Sequence, residues 1–347
     1  MSKYVKYIKT VETKSAQGLV AQVYAQIKSD MGVTPEPFTL HSPAPDILAG
    51  VWSIFRESLV CGHIARGIKE AIATAISDIN RCPWCVEAHT ITLYATGNSE
   101  AVQAITLHDH RFLADTEMQA IIQWASSTCK PGAPIVANPP FSAKDAQEII
   151  GTAVTFHYLN RMVNALLSET FLPKSALMQR VFKRTAGWLY TGIARKTYSP
   201  GSSLALLPYA ANLPDDLGWA RGVPTIAEAF ANFANVVEQA GAAILSPKVR
   251  NIVHDHVQLW NGTDTGLSRQ WVEQAIEDLD DEDKAACRLA LLVALASHQI
   301  DEQVVEAFRA YRPGDDDLVV VLAWASFTAA RRVGTWLSAP ASLSQAR

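Results

Sequence analysis

The sequence predicts an all-α protein. Apolar residues recur at helical spacing almost throughout, no clean alternating run bounded by turn residues demands a strand, and 49% hydrophobic content supplies a core. At 347 residues the chain has room for one large or two ordinary domains.

Residues 64 to 79, IARGIKEAIATAISDI, place Ile68, Ile72, Ala75, Ile76 and Ile79 on one helical stripe. The opposite face carries Glu70, Ala73, Thr74 and Ser77, which are small except for the glutamate, so this helix is expected to be buried on both sides. The next helix opens at Pro83, because proline suits a first helical position, and stops near Gly97, a left-handed cap after LYAT. Cys82 then falls at its N-cap. Further helices are expected at about 98–108, 114–129, 142–168, 226–242, 246–260, 268–278, 281–297, 301–310 and 316–338. The stretches LPKSAL, YSPGSSLALLP and NLPDD concentrate Pro, Gly and Ser over 172–222 and predict a linker.

The halves on either side of it are faintly repeated. IARGIKE (64–70) pairs with LSPKVRN (245–251), and RMVNALL (161–167) with RRVGTWL (331–337). The first offset sets Asn251 opposite Glu70, and Thr263, Gly266 and Gln270 opposite Cys82, Cys85 and His89. The expected organisation is an N-terminal arm (1–43), a helical repeat carrying the chemistry (44–171), the linker (172–222) and a degenerate second repeat (223–347).

With 30 Lys and Arg against 34 Asp and Glu, the formal charge is −4 and no long basic run stands out, so neither nucleic acid nor a membrane is expected as a partner. The opening MSKYVKYIKTVETKS lacks the apolar region of a secretory signal, and a cytoplasmic location is expected. The five cysteines, Cys61, Cys82, Cys85, Cys129 and Cys287, are odd in number and mostly scattered, which argues against a disulfide framework.

RCPWCVEAH, at 81–89, is the exception to that scatter. Cys85 and His89 are four apart on one helix face, so the imidazole can take the thiol proton, and Cys82 lies three residues before Cys85 on the same face. Both sulfurs sit at a helix N-terminus, where the dipole and free N–H groups favour thiolate. Zinc would want four ligands, and no second CxxC or HxxxH pair exists; Cys82, Cys85, His89 and Glu70 could still close a site alone, and inert packing is a further alternative. Glu70 has no cation at i+4 and could be a solvated surface carboxylate.

Taken together, Glu70, Cys82, Cys85 and His89 form E-x11-C-x2-C-x3-H, which resembles the active-site signature of the alkylhydroperoxidase D-like, CxxC-containing branch of the carboxymuconolactone decarboxylase superfamily. The likeness continues through HTITLYATG, and FHYLNRMVNALL (156–167) is similar to the closing helix of peroxidase-related members. The resemblance implies an internally duplicated all-helical bundle, Cys85 as the thiolate attacking peroxide, Cys82 as the resolving thiol, and His89 with Glu70 as proton relay. It implies a thiol-dependent peroxidase served by a thiol or dithiol reductant protein, and a homo-oligomer, most simply a trimer. No cofactor or metal is expected. Trp84 departs from members with a histidine between the cysteines, and the chain is extended around 130–145 and 172–222.

Two other functions compete. One is an acid/base enzyme on a small organic acid or lactone, using His89 or Glu70; the other is a redox-sensing, non-enzymatic oligomer. His157 is either a satisfied core histidine or a neighbour of the thiols on the closing helix. The H-D-H triplets at 108–110 and 254–256 send their imidazoles to different faces and are not expected to bind metal. WLYTGIARKTY (188–198) is either a lid or the packing that docks the linker, and EDLDDEDK (277–284) suits a solvated helix start.

Overall fold

The computed structural model describes residues 3–109, 113–173 and 175–339, so His110 of the first H-D-H triplet lies outside the described residues. The fold is all-α. Among the described residues the one β-like feature is an isolated antiparallel bridge, Val5 to Leu167, which ties the N-terminal arm to the end of the ninth helix.

In chain order the first half comprises α1 (Gly18–Met31), the short α2 (Glu36–Thr39), α3 (Pro45–Phe55) running into a π turn (Arg56–Val60), α4 (Arg66–Ile79), α5 (Pro83–Thr96), α6 (Ser99–Thr106), α7 (Thr116–Ala125), the short α8 (Pro134–Ala137) and α9 (Ala146–Leu166). After α10 (Ala176–Ala194), the second half comprises α11 (Pro224–Ile244), α12 (Pro247–Leu259), α13 (Gln270–Ala275), α14 (Asp281–Ala296), α15 (Glu302–Arg309) and α16 (Asp315–Leu337). The starts are locally encoded. Asp115, Ser246, Asp280 and Asp301 each accept a backbone N–H from the first turn they precede, and Pro83, Pro224 and Pro247 occupy first positions where no N–H is needed.

The core runs continuously through both halves. The long helices α9 and α16 pack against each other at its centre, α3 packs on α11, α4 on α5 and α9, and α12 on α14 and α16. Tyr158 meets Phe233 and Phe327 edge-on, at centroid distances of 5.2 and 6.1 Å, which sews the halves together. Helix α4 is buried on both faces, as its small-residue side predicts.

The segment 172–222, expected as a linker or insertion, is more ordered than its Pro, Gly and Ser content suggests. It holds the 19-residue α10, whose helical period is hidden in the sequence by the Pro, Gly and Ser clusters at both its ends. This helix lies across α5. The crossing is close at Gly187, where a Cβ would sit 2.7 Å from Tyr94 Cβ and 2.9 Å from the Ile91 carbonyl. The 1–43 arm likewise contains α1 and α2, which pack on α3.

Candidate active site

Helices α4 and α5 form the site, and α9 sets their geometry. Lys69, buried on α4, donates to Glu148 Oε2 of α9 at 2.8 Å, while Glu148 Oε1 accepts the His63 backbone N–H at 2.9 Å and fixes the entry to α4. At the other end, Asn160 of α9 donates to Ser77 Oγ at 3.0 Å and accepts from Asn80 at 2.9 Å. The chain then turns sharply through Arg81, in the left-handed region at φ +52°, and the Cys82 N–H returns to the Ser77 carbonyl at 2.9 Å. Cys82 is the N-cap of α5, Pro83 its first residue and Gly97 its left-handed cap at φ +89°.

Cys82 and Cys85 are joined by a disulfide with Cα atoms 5.4 Å apart. Both sulfurs are buried, Cys82 at 0% and Cys85 at 4% exposure, but of the two only Cys85 lines a cavity of about 460 Å³. His89 and Glu70 share that wall. Glu70 is fully buried, with Oε2 2.5 Å from His89 Nδ1 and Oε1 accepting from Arg66 Nε at 2.6 Å. Burial, the largest influence, pushes this carboxyl up, but Arg66 and His89 outweigh it and hold Glu70 below the usual carboxylate range. An ionised carboxylate only accepts, so Nδ1 carries the proton and Nε2 is the basic nitrogen of His89. The ring stands edge-on to Phe156 at 4.6 Å, which fixes its plane.

The rest of the cavity wall is mainly apolar, with Phe38, Phe55, Phe156, Leu159, Val163 and Phe171 prominent. Trp84 also lines it, held between Tyr4 and Phe171 at centroid distances of 5.1 and 4.7 Å. The structure therefore brings together Glu70, Cys82, Cys85, His89 and Trp84. His157 is placed apart: its Nδ1 accepts from Asn80 at 3.1 Å, its Nε2 donates to Thr128 Oγ1 at 3.0 Å, and it does not line the cavity. Burial, aided by Arg161, pushes it well below its ordinary value, so it is a neutral core histidine.

One lining residue is not marked by the sequence pattern: Arg66 precedes Glu70 by one helical turn, at i−4, on the side opposite the cation-free i+4 position. Tyr190, from the 188–198 stretch that offers either a lid or docking packing, lines the cavity from α10, its hydroxyl pushed up to about 12 chiefly by burial. The three thiols outside the motif are poor nucleophiles at neutral pH: burial pushes Cys61 and Cys287 up to about 12 and also raises Cys129. Among the described residues, no three His, Cys, Asp or Glu side chains converge where a metal could be held.

No family model matches the chain. It is, however, 39% identical over 339 residues to the alkyl hydroperoxide reductase of Mycobacterium tuberculosis, spanning 98% of this chain and 96% of that protein. The chain belongs to the alkylhydroperoxidase D-like family. Among solved structures, the alkylhydroperoxidase core of an uncharacterised peroxidase-related protein from Ralstonia eutropha is similar with a TM-score of 0.45 and 18% identity, over 54% of this chain and 98% of that one. In this family member the four residues of the Glu-Cys-Cys-His signature occupy one site beside one cavity.

Proposed function

We propose that this protein is a thiol-dependent peroxidase that reduces hydroperoxides through Cys85 and Cys82, with His89 and Glu70 moving the proton. The observation that carries this reading is the unequal placement of the two sulfurs: Cys85 lines the cavity beside His89, and its disulfide partner Cys82 is buried behind it. A relative that carries the name alkyl hydroperoxide reductase along nearly its whole length supports the same chemistry.

In the reduced enzyme the Cys85 thiol gives its proton to His89 Nε2, and Glu70 stabilises the resulting imidazolium. The thiolate attacks the outer oxygen of R–O–OH; the S–O bond forms as the O–O bond breaks, leaving Cys85 sulfenic acid and an alkoxide that takes the proton back from His89 as ROH. Cys82 then attacks the sulfenic sulfur, and hydroxide leaves with the Cys82 proton as water. Because Cys85 lines the cavity and Cys82 does not, a dithiol reductant enters at Cys85, displaces Cys82 as thiolate, and leaves as its own disulfide. Thiol titration of the reduced protein with one equivalent of organic hydroperoxide tests the cycle. Two of the five thiols should disappear, with a crosslink mapping to Cys82 and Cys85; retention of all five thiols, or a crosslink elsewhere, contradicts it.

We also propose that the two halves are copies of one unit, with the chemistry confined to the first. In support, α4 and α12 begin at Arg66 and Pro247, the residues that the repeat alignment pairs, and α3–α11 and α9–α16 pack as like on like. The second copy has lost the motif's framework: α13 starts only at Gln270, the position paired with His89, so no helix begins where the cysteines would stand.

A further inference from the structure

Helix α10 buries one face on α5 and leaves the other bare. On the bare face Leu177, Val181 and Trp188 fall in one stripe at i, i+4 and i+11, widened by Met178 and Leu189; Trp188 is 74% and Leu189 69% exposed. Solvent-facing tryptophan, leucine and methionine gathered on one helix mark a contact surface.

The charge of the segment says what it contacts. Between residues 170 and 214 the sequence carries six basic residues, Lys174, Arg180, Lys183, Arg184, Arg195 and Lys196, and no Asp or Glu, in a chain whose formal charge is −4. Arg180 and Arg184 stand exposed along one flank of the apolar stripe, without an ion-pair partner among the described residues. A second copy docking α10 on α10 about a two-fold axis would bring two basic segments together, and in a trimer α10 would have to meet a different face of its neighbour, an arrangement the light-scattering measurement below tests. An anionic lipid surface complements that charge and accepts the apolar side chains between its head groups.

The same helix reaches the cavity. Phe182 and Tyr190 line it from α10, and Phe182 and Val33, both lining residues, are also exposed, so they mark its rim beside the bare face. A volume of about 460 Å³ far exceeds what hydrogen peroxide fills, given roughly 30 Å³ for a water molecule.

We propose that α10 is an interfacial helix that seats the protein on an anionic lipid surface, and that the Cys85 cavity receives hydroperoxides borne on acyl chains from that surface. The second clause rests on the peroxidase reading; the first stands without it. The reaction is the one written above, the lipid hydroperoxide leaving as the lipid alcohol.

Full-length Cys85→Ser protein is sedimented with phosphatidylglycerol vesicles and with phosphatidylcholine vesicles. Binding to the former, weakened by high salt, is expected, and the double variant Trp188→Glu, Leu189→Glu should lower the affinity at least 10-fold while leaving the circular dichroism and melting temperature unchanged. On the Cys85 background, the double variant should keep turnover of tert-butyl hydroperoxide and lose at least 10-fold on phospholipid hydroperoxide embedded in phosphatidylglycerol vesicles. Absence of vesicle binding, or binding indifferent to the double substitution, overturns the proposal. So does a light-scattering mass that drops in the double variant without vesicle binding by the parent, which assigns the face to a second copy. Vesicle binding with no hydroperoxide turnover by the Cys85 protein would sink the peroxidase reading and leave the docking surface standing.

Discussion

Substituting Glu70→Gln probes the proton relay with almost no change in shape. The amide can still accept from His89 Nδ1, but the negative charge that stabilises the imidazolium is gone, and Arg66, 2.6 Å away in the parent, now faces a neutral group. Two unit charges about 4 Å apart at an effective dielectric of about 20 interact by roughly 4 kcal/mol. Arg66 is present in parent and variant alike, so this attraction is what the substitution removes, less what solvent and the retained Nδ1 hydrogen bond recover, and the rate of Cys85 oxidation is expected to fall by roughly 10²-fold or more. Stopped-flow tryptophan fluorescence is suited to the measurement, because Trp84 lies between the two cysteines and reports closure of the disulfide. The reduced variant is mixed with cumene hydroperoxide at neutral pH and its melting temperature recorded in parallel. A rate within about threefold of the parent, in a protein of unchanged stability, would refute the relay.

Arg66→Met should move the acid limb of the same rate to higher pH. Glu70 is held below the usual carboxylate range, so in the folded enzyme its charge is present above that depressed value and lost as pH falls through it; removing Arg66 raises the value, and a pH–rate profile that does not move contradicts this. Gly187→Val should destabilise by about 1–3 kcal/mol in urea unfolding, because its Cβ would meet Tyr94 and the Ile91 carbonyl, and an unchanged midpoint would show that α10 does not pack there. The protein is expected to be a homo-oligomer, most simply a trimer, and light scattering at micromolar concentration giving a mass near the 37.8 kDa of one chain would exclude that.

Helices whose signals are local were legible in the sequence. The Pro83 start, the Gly97 cap and the apolar stripe of 64–79 place α4 and α5 to within about two residues, and the closing helices at 146–166 and 315–337 are read from long apolar periods. The Cys85–His89 pair was legible because the i,i+4 step is itself geometric, whereas Glu70, which pattern alone left as a possible surface carboxylate, was legible only through the family resemblance. Arg66 was missed because a helix has two neighbours one turn away and only the C-terminal one was considered. Helix α10 was missed for a different reason: its flanks are rich in Pro, Gly and Ser, which marked the whole stretch as a linker. The whole-chain charge hid the basic segment in the same way, since six cations over 170–214 disappear into a total of −4. His157 illustrates the converse, for sequence alone cannot distinguish the α9 face that meets Asn80 and Thr128 from the one that meets the cavity.

The central claim is the division of labour between the two sulfurs, and trapping sulfenic acid in single-cysteine variants tests it most directly. Each reduced variant is treated with one equivalent of cumene hydroperoxide in the presence of a dimedone-type reagent, and the label is located by mass spectrometry. With Cys82→Ser, Cys85 should be labelled near stoichiometrically, since its resolving thiol is gone and the sulfenic acid persists or overoxidises. With Cys85→Ser, Cys82 should remain unlabelled, being fully buried and absent from the cavity wall. Label on Cys82 in the Cys85→Ser protein, with Cys85 unlabelled in the other, would reverse the roles and contradict the account.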